Sequence, residues 1–247
     1  MPKLKVNRYI NDPSHCVAAA VACVSNYYNT EINYEIVKNF IYKNISNEKE
    51  LGLNTGETGR LLNYLGFNKV TIISSELHYL DYSWSKFSKK KLLETLKENK
   101  NKVKGDWRID WGTEIKDIYK WLKDKKYNNN LVIDYNFGKY IRKFIDQKKP
   151  VLVSFNWTQF FKYSKEVNGV LDPIRGEWIE HLVVIYGYDK KSVNICDSHN
   201  EYYRYRLKRY RKGFYKISWE NLMSIMGYGD VILADNFDKN ALVITEK

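Results

Sequence analysis

Hydrophobic residues in the first third of the chain recur at the spacing of helices. Residues 16–28 are apolar on nearly every side, which is typical of a helix that is buried on most faces. Two shorter amphipathic helices are predicted over residues 35–45 and 58–65, and Gly66 is placed to end the second of them. Residues 69–74 then form a predicted strand. The chain therefore begins with a helical layer.

The second half of the chain carries mainly strand patterns. Apart from a short helix at 140–147 and a last helix at 219–226 capped by Ser218, the predicted elements are strands at 150–157, 180–188, 193–197, about 214–217, 231–234 and 241–245. Residues 158–179 lack a clear period and contain turn-forming pairs, so we interpret them as a loop beside the functional site. Because helices come first and strands cluster later, the sequence predicts an α+β fold.

Residues 83–130 separate these two parts and differ from them in composition. They are predicted to form two helices, at 89–101 and 113–125, joined by a turn near Gly105. Their many charges fit the solvated faces of an inserted helical hairpin. We therefore interpret residues 1–247 as one domain that carries a basic helical insertion at about 83–130.

The composition narrows the class of protein. Hydrophobic residues make up 44% of the 247 and charged residues 28%, as in soluble globular proteins and unlike wholly disordered chains. No apolar run is long enough for a membrane span, and the N-terminus lacks the apolar stretch of a signal peptide, so a cytoplasmic location is expected. The three cysteines have no paired metal-type spacing and predict neither a disulfide framework nor a zinc site.

The positive charge is concentrated in two segments. The chain has 41 Lys and Arg against 29 Asp and Glu, a net charge of +12. Residues 83–126 hold fourteen basic and seven acidic residues, residues 201–216 hold seven and one, and the rest is nearly neutral. The second segment alternates Tyr and Arg with strand period, a pattern that can stack bases and neutralise phosphates. These basic patches would suit an acidic carrier protein or an anionic polymer, although a hairpin with one wet face explains the second equally well.

Cys16 lies where a helix activates a thiol. It follows the turn 12–15 and begins the apolar helix, so the helix dipole and the unpaired backbone N–H groups favour a thiolate and can also bind an oxyanion. Cys23 lies deeper in that helix and Cys196 lies inside a strand, which predicts two inert core thiols. Cys16 is therefore the candidate nucleophile.

His181 is the candidate base for this thiol. It is a polar residue at the head of the apolar run 182–185, and a turn at 189–192 would fold the next strand back so that residues 197–200 lie opposite it. Asp197 then falls beside the imidazole, where a carboxylate fixes the tautomer and stabilises the imidazolium. An end-of-strand histidine that is exposed to solvent remains the simpler alternative for His181 taken alone.

The blocks around these residues form an ordered series. They are Asn11-Asp12-Pro13-Ser14-His15-Cys16 with the Ala-rich helix that follows, Thr55-Gly56 to Leu65-Gly66-Phe67, Lys149 to Ser154, His181 to Asp189, Asp197, and Ile217-Ser218-Trp219-Glu220. In order and spacing they resemble the C39-like branch of the papain-like cysteine peptidases, over about four fifths of the chain, with residues 83–130 unmatched.

The resemblance implies a papain-like α+β fold, with N-terminal helices packed on an antiparallel sheet, and a triad of Cys16, His181 and Asp197. The best-known members cleave leader peptides after a double glycine and are fused to exporters, so a peptide or protein substrate and no cofactor are expected. This chain departs from the pattern in having Val17 where Gly is usual, Ser198 where Pro is usual, and no Gln before the cysteine. Asn11 is the nearest carboxamide that could complete the oxyanion hole.

Three functions remain open from the sequence. The leading one is a C39-like cysteine peptidase that hydrolyses a peptide or isopeptide bond. The chain is also similar to the butirosin-biosynthesis acyltransferases, in which the same thiol would carry an acyl group. A catalytically inactive basic binding module is the third. A metal site built from Cys16, His181 and Asp197 has suitable ligand types, but the helix start and the hairpin already account for all three residues.

Overall fold

A computed structural model describes residues 2–12, 15–45, 52–102, 111–162, 164–167, 170–176, 178–199, 212–227 and 229–238. Its helices are α1 (Cys16–Tyr28), α2 (Tyr34–Asn44), α3 (Thr55–Tyr64), α4 (Lys89–Asn99), α5 (Trp111–Lys123), α6 (Phe137–Asp146), α7 (Trp157–Phe161) and α8 (Trp219–Ile225), with a 3-10 helix at Tyr82–Lys86. Its strands are β1 (Phe67–Ser74), β2 (Asn130–Ile133), β3 (Val151–Asn156), β4 (Glu166–Val167), β5 (Val170–Leu171), β6 (Glu180–Tyr188), β7 (Ser192–Cys196), β8 (Phe214–Ser218) and β9 (Asp230–Phe237).

Seven of these strands form one sheet in the order β2-β1-β9-β3-β6-β7-β8. Every neighbouring pair in this sheet is antiparallel except β1 and β2. The remaining pair, β4 and β5, forms a small separate hairpin. The predicted α+β fold, with N-terminal helices on a mainly antiparallel sheet, is confirmed.

Helix α1 is the most deeply buried helix of the N-terminal layer. Its residues from Val17 to Asn26 are all buried, and it packs on β6 and β3 at the centre of the sheet. Small alanine side chains at positions 18–20 and 22 allow this close approach between helix and sheet. The packing fixes the start of α1 at the edge of β6, where the strand begins.

The helices of the predicted insertion connect two parallel strands. Strands β1 and β2 pair in parallel, and such a pair requires a crossover of a dozen or more residues. Helices α4 and α5 lie in that crossover, and α5 packs on α3 as well as on α4. Helix α5 thus has a charged outer face, whereas its inner face, which includes Ile115, Ile118 and Trp121, is fully buried. The extent of the domain and of its insertion stays a prediction.

Several boundaries differ from the sequence-based expectation. Helix α3 begins at Thr55 rather than at residue 58, because Asn54 and Glu57 form a reciprocal capping box at its start. Residues 158–179 are not wholly a loop, since they contain most of α7 and the β4–β5 hairpin. Strand β2 was not predicted. The predicted caps Pro13 and Ser14, the turn near Gly105, most of the basic segment 201–216 and the predicted strand at 241–245 lie outside the described residues.

No helix in the described part of the chain is both long enough and apolar enough to cross a membrane.

The contact between α3 and α5 leaves no room for a side chain at Gly56. A Cβ atom there would lie 2.4 Å from backbone atoms of Asp117 and Ile118. We expect Gly56→Ala to lower the free energy of unfolding by about 2 kcal/mol, because the two helix backbones must move apart. Gly227→Ala is the matched control, since a Cβ at Gly227 meets nothing within 4 Å. Urea unfolding of both variants measures the difference, and equal midpoints would contradict the close packing of α5 on α3.

Candidate active site

Cys16 is the first residue of α1, at the exposed end of a buried helix. Its neighbour Val17 is buried, whereas Cys16 itself is only partly covered. The first backbone N–H groups of a helix have no partner within the helix, and the helix dipole is positive at this end. His15 is the N-cap residue but makes no capping hydrogen bond with its side chain. The position of Cys16 therefore favours negative charge on its sulfur.

His181 and Asp197 lie side by side at one end of the β6–β7 hairpin. Nε2 of His181 lies 2.7 Å from Oδ1 of Asp197, and both side chains are buried. His181 is the second residue of β6, and Asp197 directly follows β7. The strands pair antiparallel with Val184 opposite Cys196, so continuing the register places His181 opposite residue 199 and Asp197 diagonally across from His181. The hairpin geometry inferred from the sequence is what the structure contains.

Three donors hold the carboxylate and backbone of Asp197 in place. The Tyr215 hydroxyl donates to Oδ2 at 2.7 Å, and the backbone N–H of His199 donates to Oδ1 at 2.9 Å. Nε of Arg8 donates to the Asp197 carbonyl at 2.6 Å. Gly213 has a φ of 67° and lies so close that a Cβ there would sit 1.9 Å from Nε of Arg8. The orientation of the carboxylate is thus set by contacts from β8 and from the N-terminal segment.

The Cys16 thiol and the His181 imidazole line the same cavity, and each shifts the pKa of the other. Because Nε2 of that ring faces Asp197, Nδ1 is the nitrogen left for the sulfur. Burial raises the pKa of the Cys16 thiol, but the hydrogen bond and charge of His181, together with the backbone N–H of Leu182, outweigh it and leave the pKa lowered. The arrangement favours a thiolate beside an imidazolium.

The charges of His181 and Asp197 stabilise each other in the same way. Burial lowers the pKa of His181, yet the charge and hydrogen bond of Asp197 raise it overall. Burial raises the pKa of Asp197, and the charge and hydrogen bond of His181 lower it overall. A buried ion pair is retained only when such partners compensate for lost hydration. Asp197 therefore keeps the imidazole protonated in the presence of the thiolate.

Aromatic side chains cover this pair. The ring of Trp157, at the start of α7, lies 6.1 Å from the ring of His181 and 4.7 Å from that of His199. Phe155 of β3 lies 6.3 Å from His181 at nearly a right angle. A lower local dielectric strengthens the interaction between imidazole and carboxylate. Helix α7, which the sequence pattern did not indicate, thus takes part in the site.

Asn11 does not lie against the thiol as expected for an oxyanion donor. Its Nδ2 donates to the carbonyl of Asp12 at 2.6 Å, and its backbone N–H donates to the carbonyl of Ser198. Asn11 is also not among the residues that line the cavity shared by Cys16 and His181. The role of Asn11 in an oxyanion hole stays a prediction.

The other two cysteines face each other in the core. Their sulfur atoms are 4.0 Å apart, and both residues are buried. The pKa of Cys23 is raised well above its usual value by hydrogen bonding to Cys196 and by burial. These thiols are chemically unlike Cys16.

A cavity of about 300 Å³ opens beside the thiol and the imidazole. It lies between the starts of α1, α3 and α5 and the first residues of β6 and β9. Four carboxylate side chains line it: Glu76, Glu114, Glu180 and Asp230. Among the described residues, no group of His, Cys, Asp and Glu is arranged to hold a metal ion.

No sequence pattern indicated several of the residues that contact the site. Tyr215 lies on a predicted strand, and its inward position follows from the alternation of that strand, but its contact with Asp197 requires the β7–β8 pairing. Arg8 and Trp157 contact the site from distant parts of the chain. The cavity carboxylates come from four separate elements, so no local motif marks them.

Comparison with known proteins gives a match to a protein family and a match to a solved structure. Curated proteins give no match. A solved structure from Bacillus anthracis, named as a candidate C39-like peptidase, shares 14% sequence identity with a TM-score of 0.43, covering 96% of this chain and 100% of that one. The sequence model of the Peptidase_C39 like family matches residues 3–225. Since this match spans nearly all of the chain, the protein belongs to the Peptidase_C39 like family.

Proposed function

We propose that the protein is a cysteine peptidase in which Cys16 is the nucleophile, His181 the general base and acid, and Asp197 the group that orients His181. The observation that supports the proposal most directly is the placement of the three residues: Cys16, at a helix N-terminus, shares a cavity with His181, and Nε2 of His181 lies 2.7 Å from Oδ1 of Asp197. Family membership supports the same class of activity. The substrate is a peptide or isopeptide bond.

In the first half of the proposed reaction, the Cys16 thiolate attacks the carbonyl carbon of the substrate. A C–S bond forms while the carbonyl π electrons move to oxygen, and the backbone N–H groups at the start of α1 stabilise the resulting oxyanion. The oxyanion collapses as the C–N bond breaks. His181 gives its proton to the departing amine, which leaves a thioester on Cys16 and a neutral imidazole.

In the second half, His181 takes a proton from water as the water oxygen attacks the thioester carbonyl. The tetrahedral intermediate expels the sulfur, the carboxylic acid leaves, and the thiolate–imidazolium pair is restored. Asp197 stays ionised throughout, because its role is to hold the tautomer and to stabilise the imidazolium. Its own pKa, lowered overall by His181, is consistent with this role.

Acyl transfer uses the same intermediate, with an amine in place of water as the second nucleophile. Nothing in the geometry of the three residues separates the two reactions. Loading of Cys16 from an acyl-carrier thioester, without cleavage of any peptide, would therefore favour the acyltransferase alternative.

The first prediction concerns the reactivity of the three thiols. We expect iodoacetamide to alkylate Cys16 at least about a hundredfold faster than Cys23 and Cys196 near neutral pH, because Cys16 has a lowered pKa and an opening to a cavity, whereas Cys23 and Cys196 are buried. The thiolate is present above the lowered pKa, so the alkylation rate at Cys16 should reach its plateau at a lower pH than the rate of an ordinary thiol does, and should decline on acidification below that pKa. Peptide mapping by mass spectrometry at several pH values measures each site. Equal, slow labelling of all three thiols would contradict the proposal.

The second prediction concerns Tyr215 as a positioning residue. Removing its hydrogen bond in Tyr215→Phe should raise the pKa of Asp197 and release the carboxylate from its orientation against the ring, and this loss of orientation weakens its stabilisation of the His181 imidazolium. We then expect the midpoint on the acid side of the pH–rate profile for Cys16 alkylation to move up by roughly half to one pH unit. This is the shift that corresponds to a hydrogen bond with a charged group. A merely structural role of Tyr215 would lower the stability of the protein without moving this midpoint.

Tyr188→Phe is the matched control for this experiment. It removes a tyrosine–aspartate hydrogen bond of the same length, 2.7 Å, between Tyr188 and Asp146 on the surface. The alkylation profile of this variant should coincide with that of the unchanged protein. If both variants shift alike, or neither shifts, Tyr215 does not act through Asp197.

The third prediction concerns peptide cleavage. Incubation with a library of peptides prepared from a cell proteome should generate new peptide termini that are absent with Cys16→Ala and with His181→Ala. Each substitution should reduce the rate by at least about a thousandfold, because the members of such a triad act as a unit. Mass spectrometry of the new termini measures cleavage. Equal cleavage by Cys16→Ala would exclude this thiol as the nucleophile.

A further inference from the structure

The cavity beside Cys16 gathers carboxylates from four parts of the chain. Glu76 follows β1, Glu114 is on α5, Glu180 is the first residue of β6 and directly precedes His181, and Asp230 is the first residue of β9. The protein as a whole carries a net charge of +12. A concentration of negative charge at one cavity is therefore opposite in sign to the rest of the molecule.

The described residues place no lysine or arginine against these four carboxylates, in contrast to several other buried or half-buried acidic residues. Elsewhere, Asp117 pairs with Arg60 and Lys120, and Asp235 pairs with Lys149. In the described part of the chain, no Lys or Arg lies within 4 Å of a carboxylate oxygen of the four cavity residues. Only His78 contacts one of them, at Glu76. Among the described residues, no lysine or arginine thus stabilises the charged forms of the cavity carboxyl groups.

Asp230 shows this most clearly. Its side chain is only 3% exposed, and its Oδ2 accepts a hydrogen bond from the Thr55 hydroxyl at 2.5 Å. Its Oδ1 is buried and has no hydrogen-bond partner. The nearby Ser74 hydroxyl lowers the pKa of the Asp230 carboxyl group, but burial outweighs this effect. An unsatisfied carboxylate oxygen in a buried position is costly unless a ligand completes it.

The carboxylates also repel one another. Burial and the charges of Glu180 and Asp230 raise the pKa of Glu114 to about 8. Burial, with further contributions from Asp230 and Glu76, raises the pKa of Glu180 to about 7 despite a hydrogen bond from Ser154. Glu180 as a whole residue is exposed to solvent. A cation among these groups would remove the repulsion.

Aromatic rings form the remaining wall of the cavity. Tyr79, Trp111 and Trp178 line it, and the ring centroids of Tyr79 and Trp111 are 5.6 Å apart. Faces of such rings attract ammonium and guanidinium groups. Aromatic rings supply no ligand to a metal ion, so the combination with carboxylates suits an organic cation better than an inorganic one.

We infer that this cavity is a specificity subsite for a cationic side chain, so that the substrate carries a lysine or arginine next to the bond that Cys16 attacks. The inference rests on the proposed function and names its substrate class. The alkyl part of the side chain would lie against Tyr79 and Trp111, and its charged end would reach Glu180 and Asp230. A cation bound there would also relieve the unfavourable effect of Glu180 on the Cys16 thiolate.

The test compares two alkylating reagents that differ only in charge. One is an iodoacetamide whose amide nitrogen carries an aminobutyl arm, and the other carries a pentyl arm, in which a methyl group replaces the ammonium. The ratio of their rates at Cys16 is divided by the same ratio for glutathione at equal pH and salt. We expect a corrected preference for the cationic reagent of at least about tenfold, as charge and cation–π contacts together would give.

Variants of the cavity show which residues produce the preference. Glu180→Gln and Asp230→Asn should each reduce the corrected ratio at least about threefold, and Glu114→Gln serves if Asp230→Asn does not fold. Glu98→Gln, at an exposed position of α4, is the matched control and should keep the full ratio. A corrected ratio near one in the unchanged protein would overturn the inference, as would an equal loss in the control.

Plain iodoacetamide separates this inference from the proposed function. If it labels Cys16 rapidly while the corrected ratio is near one, the nucleophile stands and the cationic subsite fails. If it labels Cys16 no faster than Cys23 and Cys196, the proposed function itself fails, whatever the ratio.

Discussion

The buried pair of His181 and Asp197 is the constraint on which the rest of the site depends. Neither charge is stable alone in an apolar interior. At a separation of 2.7 Å, the attraction between the two groups compensates for their lost hydration only while both side chains keep their orientation. The orientation comes from the β6–β7 hairpin, from Tyr215 on β8 and from Arg8 near the N-terminus. Helix α1 then has to approach the sheet closely enough for Cys16 to meet the ring, and its alanine face permits that approach. Core packing and thiol chemistry are therefore parts of the same requirement.

Family membership and local geometry contribute different information. The family match covers residues 3–225 and establishes what kind of protein this is. It carries no information on how this chain departs from the pattern at Val17, Ser198 and Asn11. The structure shows that Asn11 is engaged with Asp12 and Ser198. In the proposed mechanism, the backbone N–H groups at the helix N-terminus stabilise the oxyanion, and they need no particular side chain. A missing carboxamide is then less damaging to the proposed chemistry than the sequence alone suggests.

Sequence patterns located the parts of the fold that local physics determines. The apolar run of α1, the capping residue Ser218 of α8 and the turn of the β6–β7 hairpin are all encoded within a few residues of where they act. Strand β2 could not be predicted, because its four residues become a strand only by pairing with β1 across the helical crossover. Helix α7 has only five residues, too few for a hydrophobic period. The contacts of Arg8, Trp157 and Tyr215 likewise depend on packing between distant segments.

Net charge is a poor guide to what binds in the cavity. A charge of +12 favours anionic partners at the surface, and exposed charges act over about 8 Å at physiological ionic strength before salt screens them. Inside a partly closed cavity the effective dielectric is lower, so the nearest groups dominate. Helix α5 illustrates both regimes, since it belongs to the basic segment 83–126 and yet contributes Glu114 to the acidic cavity. The net charge of the outer surface and the charge of the cavity are thus separate properties, and the proposed substrate preference follows from the second.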